Sequence, residues 1–445
     1  MRPKYKITNY RMKLKLLLPS LLINVIVPAQ TSVLTVDEAV KMAIEKNFDV
    51  EIERNAQQIG IINNNWGVAG LWPNITINAA TGYARNNLEQ QLANGTTIKR
   101  NGASLRNLNA GFAVSWRMFD GMRMFAAKKR LEELEKMGEL NFRNQINTTV
   151  FNIIGAYYQI VQLNQQRKAL KETIKFFEER KLIAESRFTI GTAPKTDFLQ
   201  AQVDLNQQKG NLLSIENNIR IAKANFNNLL GRKPETIFEV SETITPDASI
   251  SFESLQQKAA SDNYDLLMAQ NNLSILAQQK REIMSQRLPA VTLNTNFNLN
   301  QNRNDAGFNL FTRNLGPNGN IGITIPLFQG GVVKAQERVT DVQIKNQRVV
   351  IDRLKNQVNT NLVNAYFNFQ NALQLVELEK TTLKLIEENN LIATERFRKL
   401  TITSLELRQV QLDYINGQTR YINALFQAKL AETEMKLLAG SLSNL

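Results

Sequence analysis

The amino-acid sequence predicts a mainly α-helical chain that carries transmembrane β-structure and is built as an internal tandem duplication. Three observations lead there. Two halves of the chain match in register, and each half holds two stretches of about ten residues with period-two alternation. What remains is long helical pattern, almost free of proline and glycine.

The duplication is read directly from paired segments. LTVDEAVKMAIEKNFDV from Leu34 aligns with ISFESLQQKAASDNYDL from Ile250, so Asn47 and Asp49 match Asn263 and Asp265. Leu71-Trp72-Pro73 matches Arg287-Leu288-Pro289 at the same offset of 216 residues. Further on, Trp116-Arg117-Met118-Phe119-Asp120-Gly121 matches Ile325-Pro326-Leu327-Phe328-Gln329-Gly330 at an offset of 209. That offset holds through Ala156-Tyr157-Tyr158 on Ala365-Tyr366-Phe367, Arg187-Phe188 on Arg396-Phe397, and Gly231 on Gly440. It changes once, so the first copy has a loop seven residues longer between Pro73 and Val114.

In chain order, residues 1–30 read as a secretory signal peptide: basic residues, then an apolar run from Leu16 to Val27, then small residues. Met12 offers an alternative start. A run of twelve residues is too short to span about 30 Å of hydrocarbon, and no cysteine follows it to carry a lipid anchor. Repeat one covers 31–231. Its first helix opens at the capping box Thr35-x-x-Glu38 and is expected to end at Pro73. Strands follow at about 74–85 and 108–118, with Ile75, Ile77, Tyr83, Leu108, Phe112, Val114 and Trp116 on one face. A long helix at 121–190, roughly 105 Å, and a helix at 196–230 complete the copy. The last helix carries a 3-4 apolar stripe from Phe198 to Leu229, broken at Gln208, which argues for coiled-coil packing. A linker, 232–249, is expected to form a belt at mid-height.

Repeat two, 250–440, runs the same way: a helix capped by Ser251 and ended by Pro289, strands at about 290–300 and 319–327, a long helix at 331–399 and a helix at 403–439. Residues 441–445 are a tail. Each helix after a tip, joined end to end with the next copy's first helix at 229–231, would match the long helix beside it in length.

Composition narrows the function. There is no cysteine and no histidine, which removes disulfides, zinc and haem sites and thiol or triad catalysis. No phosphate-binding glycine loop and no nucleophile–base pair is present, so neither an enzyme nor a cofactor is expected. The formal charge is +14, but Arg2, Lys4, Lys6, Arg11, Lys13 and Lys15 account for six of those charges. The rest is spread widely without a basic–aromatic cluster, and nucleic acid is not expected as a partner.

The strand stretches have the length and two-faced pattern of membrane β-strands. A soluble hairpin alternates likewise, but needs a core that the helices do not offer. Four strands cannot close a barrel, and an open edge is not tolerated in lipid. Three chains would close twelve strands, with the helices continuing below as a tube.

At this point the sequence resembles the TolC family of outer-membrane efflux proteins, over about residues 34–440. The resemblance rests on the duplication, the two helix–proline–strand junctions, Phe119-Asp120-Gly121 and Pro326-Leu327-Phe328-Gln329-Gly330-Gly331 at strand exits, and Arg187-Phe188-x-x-Gly191 followed by Asp197-x-Leu199. It implies a homotrimeric exit duct with a twelve-stranded outer-membrane barrel and a periplasmic α-helical coiled-coil tunnel. It implies docking to a periplasmic adaptor and, through it, to an inner-membrane pump of the RND or ABC type. Most of the chain would lie in the periplasm of a Gram-negative bacterium. A periplasmic coiled-coil adaptor is the rival reading; it lacks paired strands of membrane length.

The same resemblance implies adaptor contacts at the tips, Ile190-Gly191-Thr192 and, by position, Lys399-Leu400-Thr401, where the glycine is missing. It implies an acidic ring near the entrance at Glu406, with Gln409 in place of a second acid. Arg396, Lys399 and Arg408 are the expected partners of Glu406 in a closed state.

Overall fold

The computed structural model describes residues 33–442, so the expected signal peptide lies outside the described residues. Repeat one runs β1 (Val33–Leu34), α1 (Val36–Lys46), α2 (Phe48–Asn63), β2 (Asn74–Gln91), β3 (Thr97–Asp120), α3 (Arg123–Thr189) and α4 (Lys195–Leu229). The linker holds β4 (Glu239–Val240). Repeat two runs α5 (Phe252–Asp262), α6 (Tyr264–Ser285), β5 (Ala290–Asn304), β6 (Phe311–Thr324), α7 (Val332–Arg398) and α8 (Ser404–Leu438). The two long helices have 67 residues each, about 100 Å.

The first helix of each repeat is broken, which the sequence pattern did not show. Asn47 leaves the helix at ψ 133° and caps α2, its Oδ1 accepting from the backbone N–H of Asp49 and Val50. Its Nδ2 donates to the Leu229 carbonyl at 2.8 Å, one of the acceptors left over at the end of α4. Asn263 repeats the arrangement, capping α6 and donating to the Leu438 carbonyl at 3.0 Å. The joint at 229–231 therefore stands, but the helix beyond it belongs to the same repeat rather than the next one. Gly231 turns the chain away at φ +64°, and a Cβ there would lie 2.1 Å from the Lys46 carbonyl oxygen. Pro73 also stands ten residues past the end of α2, behind a turn at 64–72.

The linker closes back on the chain start. β1 pairs in parallel with β4, Leu34 opposite Val240. Tyr157 from α3 donates its hydroxyl to the Leu34 carbonyl and accepts from the Ser241 N–H. Around it Ala39, Val40, Ile153, Phe226, Leu230 and Phe238 form a dry core. Repeat two has its own, from Leu255, Leu266, Leu362, Phe369 and Met435.

At the opposite end from the helical tips, β2-β3-β5-β6 form one antiparallel sheet. β2 and β3, with 18 and 24 residues, run well beyond the alternating stretches. β6 begins at Phe311 rather than 319 and stops at Thr324, before Pro326, which has no N–H for the ladder. No described helix is long and apolar enough to cross a membrane.

Candidate functional site: a two-faced sheet and a pair of helical tips

The register fixes what each face of the sheet carries. Ile77, Phe112, Phe297 and Pro317 stand side by side across the four strands, with Ala79, Ala110, Leu299 and Leu315 in the next row of the same face. Phe112 stacks on Phe297 with ring centroids 5.9 Å apart. Trp116, Leu293 and Ile321 lie nearer the helices. The other face carries amides: Asn109, Asn300 and Asn314 in one row, Asn294 and Asn320 in another, with Asn78 opposite Gly111 and Asn298. One face suits hydrocarbon and the other water, and both outer strands have a free edge.

At the far ends of the long helices the two tips share one turn. At the first, Gly191 sits at φ +81° while the Thr192 N–H and Oγ1 both donate to the Arg187 carbonyl. At the second, the Thr401 N–H and Oγ1 donate to the Arg396 carbonyl, and Leu400 takes the glycine's place at φ +62°. The missing glycine did not change the backbone; a bulky residue holds a left-handed conformation instead, at a strain of about 1–3 kcal/mol. Ile190 and Leu400 are 69% and 58% exposed.

Glu406 does not pair as expected. It is the closing member of a capping box on α8: its carboxylate accepts from the Thr403 N–H at 2.7 Å and Thr403 Oγ1 at 2.9 Å, while its own N–H donates to Thr403 Oγ1. These Thr403 bonds, with a smaller contribution from Arg396, hold its pKa below the ordinary carboxylate value. Arg408 instead reaches Asp204 on α4 at 3.0 Å. Among the described residues, neither Arg396 nor Lys399 makes an ion pair with Glu406. Gln409 donates to Asp413 at 3.0 Å, so an acid does lie on this exposed face, one turn beyond Gln409.

The strongest polar cluster near the tips was not foreseen. Arg180 of α3, 1% exposed, donates to Asp204 of α4, 4% exposed, at 2.6 Å. Gln200 donates to the other Asp204 oxygen at 2.9 Å, and Gln411 of α8 accepts from Arg180 at 3.5 Å. Burial lowers the Arg180 pKa, opposed by the bond to Asp204. With Arg408, the cluster ties the hairpin of repeat one to the last helix of repeat two. Close by, Arg398 of α7 pairs with Glu179 of α3 at 2.5 Å, and the Arg187 guanidinium lies over the Phe397 ring.

A sheet that is greasy on one face and amide-lined on the other, standing on helices about 100 Å long, defines the class: an outer-membrane channel with a periplasmic helical tunnel, each chain supplying four strands of a trimer's twelve. The family model described as outer membrane efflux protein matches residues 54–232 and 255–441, and the chain belongs to that family. The toxin and drug export protein A of Aggregatibacter actinomycetemcomitans is 23% identical over 348 residues, 76% of this chain and 71% of that protein. The outer membrane protein TolC of Escherichia coli K12 is 21% identical over 365 residues, 77% of this chain and 71% of TolC. The Campylobacter jejuni CmeC outer membrane channel superposes with a TM-score of 0.74 at 13% identity, covering 91% of this chain and 85% of that one. The protein is an outer-membrane efflux channel.

Proposed function

We propose that three chains form the exit duct of a tripartite efflux or type I secretion system. They receive substrates from an inner-membrane pump of the RND or ABC type through a periplasmic adaptor, and do no chemistry on what they pass. The observation that carries this is the pair of tips: identical exposed turns, Ile190-Gly191-Thr192 and Lys399-Leu400-Thr401, at the end of the bundle farthest from the sheet. An exposed isoleucine and a strained exposed leucine at a tip fit a partner's surface better than they fit water.

Glu406 is the candidate entrance acid, three copies of which would ring the passage and favour cations. Arg396 contributes its field to Glu406, and Lys399 and Gln409 line the same end, while Arg408 serves the cluster around Asp204. In a planar bilayer, Glu406→Ala shifts conductance or cation selectivity; an unchanged channel sinks the ring assignment. Because the chain has no cysteine, Ile190→Cys and Leu400→Cys give clean single attachment points for cross-linking in cells. Adducts with a membrane-anchored coiled-coil protein support the tip assignment, and adducts confined to a control position in the sheet refute it.

A further inference from the structure

We infer that the outer rim of the barrel's lipid face is a binding site for phosphate-bearing headgroups of the outer-leaflet lipid. The inference rests on the outer-membrane duct described above and assigns a ligand to a part of it with no role in passage.

The site is a row across the sheet. Strand register places Tyr83 opposite Arg106, Arg106 opposite Arg303, and Arg303 opposite Phe311, all on the apolar face. The row below holds Thr81, Leu108, Gln301 and Arg313, and the row above holds Arg85 and Ser104. Below these begins the apolar band. From the Val291 row near the helices to the Gln301 row is ten residues, about 34 Å along a strand, or roughly 26 Å in height at the usual tilt. That is the thickness of an outer-membrane apolar band, so the four arginines stand at headgroup level. The helices leave from the other end, which makes this the exterior side.

Two like charges directly opposite on neighbouring strands destabilise a sheet. Here they splay apart: the Arg106 guanidinium lies 5.7 Å from the Tyr83 ring centroid and that of Arg303 lies 6.0 Å from Phe311. The carboxylates of this end do not relieve them. Glu89 pairs with Lys99, and Asp305 accepts from the N–H and Oγ of Ser104. Among the described residues, none of Arg85, Arg106, Arg303 and Arg313 has a carboxylate within ion-pair distance, though Arg85 donates from Nε to the Gly102 carbonyl. Planar guanidinium groups, aromatic neighbours and a position at the lipid–water boundary match an anion with several acceptor oxygens carried on a lipid.

The test uses the delipidated trimer in uncharged detergent and native mass spectrometry, with bisphosphorylated lipid A as probe. The trimer is expected to retain this lipid, and to hold a phosphate-free glycolipid with the same acyl chains far less. Excess inorganic phosphate should not displace it. Arg106→Gln with Arg303→Gln should weaken binding roughly thirtyfold, at the usual worth of two surface arginines against anionic lipid, while Lys99→Gln has no effect. Equal binding by the double variant, equal binding of the phosphate-free lipid, or ready displacement by free phosphate overturns the inference. The lipid comparison decides it even where the double variant fails to assemble. A conducting trimer without phosphate preference sinks this site alone; absence of any trimer sinks the duct with it.

Discussion

Replacing Asp204 by asparagine tests whether the buried cluster holds the entrance together. Among the described residues, Asp204 is the one carboxylate paired with both Arg180 and Arg408, whose side chains are 1% and 35% exposed. Breaking a buried pair from one side costs about 3–5 kcal/mol, because the other charge is left without compensation. Asparagine still accepts one hydrogen bond and Arg408 can turn to water, which reduces the expected cost to about 2–3 kcal/mol. At 1.36 kcal/mol per decade, local opening of this seam rises roughly 30- to 150-fold. Hydrogen exchange of the intact trimer reads it: peptides covering 176–184 and 404–412 should lose protection by that factor while the sheet does not change. Single-channel recordings should show a higher open fraction. Arg143 and Glu139, an exposed pair on α3, provide the control, and Glu139→Gln should do almost nothing. Unchanged exchange in both peptides, or an equal loss along the whole chain, refutes the reasoning.

The other sites give smaller, separable effects. Leu400→Gly should stabilise the second tip by about 1–2 kcal/mol by removing left-handed strain, and Gly191→Leu should cost the first tip about as much, both read as local exchange protection. Gly231→Ala should lower the trimer's melting temperature sharply, at a cost of about 3 kcal/mol or more, because its Cβ would meet the Lys46 carbonyl at a positive φ. Gly210→Ala, within α4 and with nothing within 4 Å of its Cβ, should stabilise slightly. The lowered pKa of Glu406 means that its capping bonds are present in full above the ordinary carboxylate value, about 4.3, and are lost as pH falls through the depressed one. The first turn of α8 should therefore fray as pH falls below the ordinary carboxylate range, and exchange in Glu406→Gln should lack that step.

Much of the frame was legible because it repeats. The two registers and the 3-4 stripes place the long helices and the alternating core of each strand, but not the break of each first helix at Asn47 and Asn263. What stayed hidden depends on partners distant in the chain. Asn47 looks like any helix-surface amide until Leu229 offers it a carbonyl 182 residues away. Gln208 reads as a break in an apolar stripe, yet it is buried, and so is Asp204 one turn earlier, because a polar cluster fills that level of the bundle. The start of β6 was missed because Gly316, Pro317 and Gly319 interrupt the alternation just where the strand lies at an edge. The Leu400 turn reads as a lost glycine, since strain leaves no mark in composition. Arg106 and Arg303 are unremarkable singly, and only register makes them neighbours.

The duplication also shows which seam has been locked. At the offset of 209, Gln200 and Asp204 correspond to Gln409 and Asp413, and the amide-to-carboxylate bond is kept in both copies, at 2.9 and 3.0 Å. The cations are not kept: Arg180 corresponds to Asn389, and Arg408 corresponds to Leu199. In a ring of three chains, the repeat-one seam lies within a chain and its equivalent lies between chains. Asp413 would there face Asn389 of its own chain and Leu199 of the partner subunit, without a guanidinium. Asn389→Arg combined with Leu199→Arg should therefore copy the locked cluster onto the seam between chains. With Asp413 engaged by two arginines at each of three seams through charge-assisted hydrogen bonds, the trimer should resist heat better and its open fraction in a planar bilayer should fall. Asp413→Asn in that background should reverse both changes. An engineered channel that opens as readily as the parent would mean that the seam between chains does not bring these positions together, and that the entrance is held by something other than the asymmetry of its two repeats.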